Sequence, residues 1–495
     1  MSKTAIPATG SGATTRTLNN YCAGHWCEAR TEEYLDDRNP ATGELLARVP
    51  LCDGEDVERV VAAARDAAAT WGAESPLVRM RAVFRLREVL AAHHEEIAEL
   101  VTRDMGKTIA DARGEVGRGI ESVEAACGLP HVLKGENLQG VARGVDVELI
   151  RQPVGVVAAI TPFNFPAMIP LWFLPYAIAT GNSFILKPSE QDPLPAERIV
   201  ELIDGIEEIP PGVVNLLHGA HAAVNGLLEH PAVNAISFVG SASTARYVAS
   251  RAAEHGKRVQ ALGGAKNAMV IMPDADPALM AAGVSSSAFG AAGQRCLAGS
   301  LAVLVGERAE QDRSLQTILD AARKLTVGDG ADPSTDVCPL VSPAARERVE
   351  REIENALAEG SELVLDGRRG GGEAGAELGP TIIDAAPAHS RAMREELFGP
   401  LLTIARAPDL AAAITTVNGS RYGNASVIFT SSGGSAREYK ASVEAGMVGV
   451  NIGVAAPVAW FPFAGWKDSF DGDLHANGRD AFEFYTRRKV VTSRW

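Results

Sequence analysis

Cysteine is scarce, and none of the six residues forms a Cys-x-x-Cys pair. Cys22, Cys27, Cys52, Cys127, Cys296 and Cys338 are dispersed along 495 residues. That spacing argues against a disulfide scaffold and a zinc ribbon, and makes a reducing cytosol the simplest compartment. No long apolar run is present. The longest, Ala167–Ala179, is broken by Pro170 and Pro175 and is too short to span a bilayer. The first twenty residues hold no apolar stretch, so no secretory signal is expected. Positive charge is not in excess either. The formal net charge is −15 and no dense Lys/Arg block interrupts it, which argues against a nucleic-acid partner. Glycine and proline together make up only about 15%, too little for a low-complexity chain. The Gly-x-Gly-x-x-Gly dinucleotide fingerprint is missing. Gly117-Arg118-Gly119 lacks the third glycine, and Gly10-Ser11-Gly12 sits in the polar tail. No histidine or cysteine spacing suggests a metal site.

What is present is regular alternation. Residues 1–18, rich in Thr, Ser, Ala and Gly, read as a disordered tail. Asn39–Gly43 reads as a turn between two short strands. Apolar positions at helical spacing predict helices over Asp56–Thr70 and Arg79–Arg103. From residue 154 onward, β-type runs at Val154–Ile160, Phe184–Leu186, Val213–Leu217, Ala235–Val239 and Val259–Leu262 alternate with helical segments. A second series follows, with strands at Met269–Met272, Leu301–Val305, Leu401–Ala405, Ser426–Thr430 and Met447–Ile452. Strand–helix alternation is the pattern of a parallel sheet covered on both faces. The fold class is therefore α/β with two doubly wound parallel-sheet units, meeting near residue 266. Val145–Arg151 and Tyr485–Thr492 read as β-type segments outside both sheets.

Four segments could carry chemistry. Lys187 ends a buried strand, in Leu186-Lys187-Pro188-Ser189-Glu190, and ligands bind at the carboxyl ends of parallel strands. Lys187 could donate to ribose hydroxyls and Glu190 accept from them, although a solvated pair after a strand is the more common case. Gly240-Ser241 follows a strand and opens a helix, so free N–H groups there could meet a diphosphate. Cys296 lies in Gly290-Ala-Ala-Gly-Gln-Arg-Cys-Leu-Ala-Gly299, with small neighbours that suit close approach by a substrate and a cofactor. Arg295 beside it would lower the thiol pKa, although an inert buried thiol is the commoner fate of a single cysteine. Asn164, in Thr161-Pro-Phe-Asn-Phe-Pro166, sits on a turn braced by prolines and could donate to an oxyanion.

Together TPFNFP, LKPSE, SFVGS, LGGAKN, GQRC and EELFGP resemble the aldehyde dehydrogenase superfamily, in its order and over residues 20 to 495. That family binds NAD without the missing glycine fingerprint. The resemblance implies that Cys296 is the nucleophile and Asn164 half of the oxyanion hole. It places Phe163, Lys187, Glu190, Gly240, Ser241, Leu262, Glu396 and Phe398 in the cofactor set, with Glu190 favouring NAD over NADP. It implies an NAD-binding domain over 19–137 and 155–266, a catalytic domain over 267–470, and a flap over 138–154 and 471–495 that joins subunits into dimers or tetramers.

One departure is informative. Hydrolytic members carry a Glu 34 residues before the Cys, and Leu262 stands at that position. Leucine cannot activate water, and neither can nearby Gln260. The branch that lacks this Glu, the acylating methylmalonate-semialdehyde dehydrogenases, hands its acyl group to coenzyme A. Phe165–Trp172, Gln260–Asn267, Phe461–Trp466, Phe484–Thr486 and Val491–Trp495 are similar to it. In that branch two arginines hold the substrate carboxylate, and Arg118 and Arg295 match them; guanidinium binds a carboxylate bidentately. Gln294 stands where a Glu is usual and Ala268 where a His is usual. The expected enzyme is thus an NAD-dependent, CoA-acylating oxidoreductase for malonate or methylmalonate semialdehyde. Hydrolytic action on another small aldehyde, or a non-catalytic relative, are the alternatives.

Overall fold

The computed structural model describes residues 16–495. Most of the expected tail lies outside the described residues, but its end does not follow the expectation: Thr17 bridges to Arg48, and Leu18 is buried with its N–H donating to the Arg48 carbonyl at 3.0 Å.

Two sheets organise the chain. The first has eight strands in the order His25–Cys27, Asn20–Cys22, Val214–Leu216, Ser183–Lys187, Val156–Ile160, Val233–Gly240, Arg258–Gly263 and Phe470–Gly472. Its five central strands are parallel, and the edges are antiparallel. The second has seven, in the order Glu362–Leu365, Thr381–Asp384, Leu401–Ala407, Gly299–Val305, Asn267–Ile271, Ala425–Phe429 and Met447–Val450. All its pairs are parallel except the first. Successive side chains of a strand point to opposite faces, so a strand covered on both sides must be apolar throughout. Val157 and Ala159 accordingly pack in one core cluster while Val156, Ala158 and Ile160 pack in another. Met269 and Ile271 separate from Ala268 and Val270 in the same way in the second sheet.

The helices depart from expectation in three places. The single helix expected over 79–103 is two, Pro76–Ala92 and His94–Met105, with a break at His93 that lets both bury their apolar faces. Ala167–Ala179 contains a core helix, Met168–Ala179, buried all round, as a helix with no polar face must be. A further helix, Ile109–Ala126, was not expected, because Gly114, Gly117 and Gly119 weaken its helical signal. One glycine there is a packing device. A Cβ on Gly119 would lie 2.7 Å from Leu171 Cδ1, so its absence brings this helix against the core helix.

Glu136–Ala142, Val145–Pro153 and Thr486–Arg494 form a separate three-stranded antiparallel sheet. The flap boundary expected at 471 is corrected by the packing. Phe470–Gly472 is an edge strand of the first sheet, and helix Gly478–Phe484 packs on the core helix with Phe482 against Tyr176. From the first large sheet to the second the chain crosses in three residues, Gly264–Lys266.

Candidate active site

Two cavities meet at Cys296, which lines both along with Trp172 and Phe463. The larger, about 830 Å³, runs along the carboxyl ends of the first sheet's parallel strands. Phe163, Asn164, Lys187, Glu190, Gly240, Ser241, Leu262, Glu396 and Phe398 all line it. The smaller, about 300 Å³, is lined by Arg118 and Arg295, with Asp111 and Glu121 beside them. Every residue given a catalytic, substrate or cofactor role in the sequence therefore borders one of the two spaces, and Cys296 borders both.

In the larger cavity, buried Lys187 donates through Nζ to Glu190 Oε2 at 3.0 Å. Ser241 caps the helix Ala242–Glu254, its Oγ accepting from the Thr244 N–H at 3.3 Å. Gly240 is not among the left-handed glycines, but a Cβ there would meet the Phe238 ring at 2.5 Å. Phe398 has φ +50°, a left-handed conformation that bulky residues rarely adopt. Arg348 holds it in place, donating to the carbonyls of Leu397 at 2.6 Å and Phe398 at 3.1 Å. The Phe398 ring meets Phe163 edge-on at 5.8 Å.

Glu396 lies half-buried on the cavity wall beside Lys266. Burial pushes the carboxyl up to about 7 against the pull of an Ala265 backbone N–H, Lys266 and Arg348. Burial likewise brings the Lys266 amine down to about 7, with Glu396 and Glu395 opposing. Among the described residues Lys266 Nζ has no hydrogen-bond partner.

The Cys296 loop is fixed by backbone clamps. Three successive residues before it, Ala291, Ala292 and Gly293, are left-handed, with φ of 49°, 52° and 69°. Only small side chains tolerate such a run, at about 1–2 kcal/mol per non-glycine residue. Beyond the turn, the Cys296 carbonyl accepts from Asn267 Nδ2 at 2.9 Å and Asn424 Nδ2 at 2.8 Å. Gln294, in place of the usual Glu, accepts from the Val341 N–H at 3.0 Å through Oε1. Asn164 Nδ2 donates to the Gln294 carbonyl at 2.9 Å, and Lys107 Nζ donates to the Asn164 carbonyl at 2.8 Å. Lys107 is itself paired with buried Glu115, whose other oxygen accepts the Ala167 and Met168 N–H groups. Thus the turn bearing Asn164 is tied to the Cys296 loop and to helix Ile109–Ala126.

Arg295 pulls the Cys296 thiol down, in the expected direction, but by too little to make a ready thiolate. Burial pushes the thiol up to about 12, and Glu396 adds to that; the backbone N–H groups of Cys296 and Leu297, and Arg295 after them, pull the other way by less. Arg295 is also engaged elsewhere, donating from Nη2 to Asp111 Oδ2 at 2.7 Å. Arg118 donates to Glu121 Oε2 at 3.2 Å and the Pro457 carbonyl at 3.3 Å.

Leu262 is buried on the larger cavity's wall and brings no acid–base group to it. The Gln260 carboxamide is buried between the Ser237 and Tyr485 hydroxyls, outside either cavity. Sequence reading missed Lys266, Asn267, Arg348, Asn424 and Asp111. Lys266 and Asn267 lay inside the quoted LGGAKN segment. Arg348, Asn424 and Asp111 carry no local signal, since only the tertiary fold brings them near Cys296.

The chain matches the model of the Aldehyde dehydrogenase family over residues 26–491. It is 47% identical over 483 residues to malonate-semialdehyde dehydrogenase 1 of Geobacillus kaustophilus (strain HTA426), covering 97% of this chain and 98% of that one. Among solved structures, it resembles a methylmalonate-semialdehyde dehydrogenase from Oceanimonas doudoroffii, with TM-score 0.94, 42% identity, and 97% and 99% of the two chains covered. It also resembles a protein assigned as a methylmalonate-semialdehyde dehydrogenase from Sinorhizobium meliloti 1021, solved in complex with NAD, with TM-score 0.95, 39% identity, and 98% and 99% covered.

Proposed function

The chain belongs to the aldehyde dehydrogenase family, and on that premise we propose that it oxidises malonate or methylmalonate semialdehyde with NAD and transfers the acyl group to coenzyme A. The observation that carries the acylating step is Leu262, an apolar side chain where a water-activating carboxylate would be needed. The names of the relatives support the substrate class, and the NAD complex of one of them supports the cofactor.

The larger cavity fits a dinucleotide. It offers the N-terminus of helix Ala242–Glu254, the Lys187–Glu190 pair at one end and Glu396 at the other. Thr161 Oγ1, buried on its wall, has no partner among the described residues. NAD bound there supplies the hydride acceptor.

In the smaller cavity Arg295 and Arg118 receive the substrate carboxylate, exchanging part of their contact with Asp111 and Glu121 for it. The aldehyde carbon then lies against Cys296. The thiol must give its proton up to solvent on attack, because burial keeps it neutral beforehand. The second Asn164 amide hydrogen and the Cys296 N–H stabilise the oxyanion, an effect of roughly 3–4 kcal/mol for one such donor. Hydride loss leaves a thioester on Cys296, and no side chain at position 262 activates water against it. The β-carboxylate departs as CO2, the enolate left behind takes a proton from solvent, and the CoA thiolate attacks the thioester, displacing the Cys296 thiolate to release acetyl-CoA or propionyl-CoA.

The flap's outer strand Glu136–Ala142 is exposed along its whole length and paired on one side only. Such an edge calls for a partner, and we take it as the contact that joins subunits into a dimer or tetramer. The testing experiment follows NADH and products from both semialdehydes, with and without CoA. Acyl-CoA formation that requires CoA supports the reading. Equal turnover to free acid without CoA refutes it.

A further inference from the structure

Away from both cavities, the amino-terminal hairpin brings two thiols together. Ala23 and Gly24, with φ of 53° and 79°, make a two-residue left-handed turn of the kind that joins tightly twisted antiparallel strands. The register pairs Cys22 with His25 and Asn20 with Cys27, so the two cysteines are diagonal neighbours on one face. Their sulfurs lie 3.3 Å apart. Cys22 is buried in the core cluster beneath the first sheet, and Cys27 is partly exposed on the outermost strand. The nearby Cys52 thiol is engaged separately, accepting from Asn20 Nδ2 at 3.3 Å.

We propose that Cys22 and Cys27 form a redox-active dithiol, a modification site that a peroxide converts to an intrachain disulfide independently of Cys296. The two positions divide the work. Cys27 meets the oxidant, being the more exposed. Burial pushes the Cys22 thiol up to about 12, which suits a resolving partner and not a first target. Peroxide oxygen bonds to Cys27 sulfur as the O–O bond breaks; Cys27 is oxidised to a sulfenic acid and one water leaves. Cys22 sulfur then attacks Cys27 sulfur, the S–O bond breaks, and the departing hydroxide takes the Cys22 proton away as a second water. Two thiols and one peroxide give one disulfide and two waters. A disulfide bond is about 2 Å long, so the sulfurs must close by little more than about 1 Å. The edge strand, held by a neighbour on one side only, can make that movement.

The test uses the full-length enzyme carrying Cys296→Ser, which removes the active-site thiol as a competitor. It is treated with hydrogen peroxide, denatured in an alkylating reagent and mapped by mass spectrometry. Alkylatable cysteines should fall from five to three, with the peptide holding Cys22 and Cys27 lighter by two hydrogens, and dithiothreitol should restore all five. With Cys27→Ser added, Cys22 should stay alkylatable after the same treatment. Retention of both thiols, over-oxidation of Cys27 with Cys22 still free, or a disulfide to Cys52 would each overturn the proposal. Because the readout is covalent, it stands or falls apart from the reaction at Cys296.

Discussion

The two cavities that meet at Cys296 are built by different means. The larger lies along strand ends and the loops and helices beside them, with small residues and backbone where a ligand must come close. The smaller is walled by helices Ile109–Ala126 and Met168–Ala179 and by the segment Val454–Phe463, and its charged groups are ion-paired with one another. The first offers a general mould for an extended ligand. The second offers charge at chosen points. Under the proposed function, recognition of a small acidic aldehyde thus rests on a few side chains, while cofactor binding is spread over many backbone positions. Single substitutions should be felt sharply on one side and mildly on the other.

The shared wall gives the largest expected effect. Cys296→Ala should lower semialdehyde-dependent NADH formation by at least about 10⁴-fold, while NAD binding followed by fluorescence titration stays near its original affinity. Substantial residual activity would mean that the cavities do not meet at the reacting atom. Next comes the wall's apolar point. Leu262→Glu should raise CoA-independent release of free acid by about 10²-fold, read by product analysis. Unchanged hydrolysis would show that position 262 does not face the thioester.

The smaller cavity is tested by Arg295→Ala. Loss of a charged hydrogen-bonding partner costs about 2 kcal/mol, or roughly thirtyfold in KM for the semialdehyde acid, with little change in KM for NAD. Arg118→Ala should act in the same direction but less, since its side chain is 38% exposed. Equal effects on both KM values would dissolve the distinction between the two spaces.

The smallest effect crosses the wall. Because the thiol's pKa stands far above neutral, labelling of Cys296 by iodoacetamide should rise about tenfold per pH unit between pH 6 and 9. Glu396 holds that thiol up only while ionised. Glu396→Gln should therefore speed labelling a few-fold above pH 8 and not at all near pH 6, below the carboxyl's value of about 7. A uniform change at every pH would point to altered access instead of altered charge.

The same contrast decides what could be read from the sequence. The strands behind the larger cavity are continuous apolar runs, and their carboxyl ends carry motifs, so Lys187 and Gly240 were legible as candidate ligand contacts, whereas Leu262 came through likeness to relatives. Thr381–Asp384 was missed because four residues give too little pattern beside a glycine-rich loop. Helix Ile109–Ala126 was hidden because its glycines serve packing at the expense of propensity. Arg118 came only through likeness to relatives. The reading of Arg295 was right in direction and incomplete in weight. Adjacency in sequence suggested that its charge acts on the thiol, but burial outweighs it and Asp111 holds the guanidinium.

The three-residue crossing at Gly264–Lys266 has a mechanical meaning. Three residues reach only about 10 Å when fully extended, so this join is a short tether with little slack. Leu262 stands just before it and Asn267, which grips the Cys296 carbonyl, just after. The two sheets therefore cannot part near the reacting sulfur. If they separate to admit or release a long ligand, they must do so as a wedge, widest toward Lys187 and Glu190 and nearly closed at Cys296.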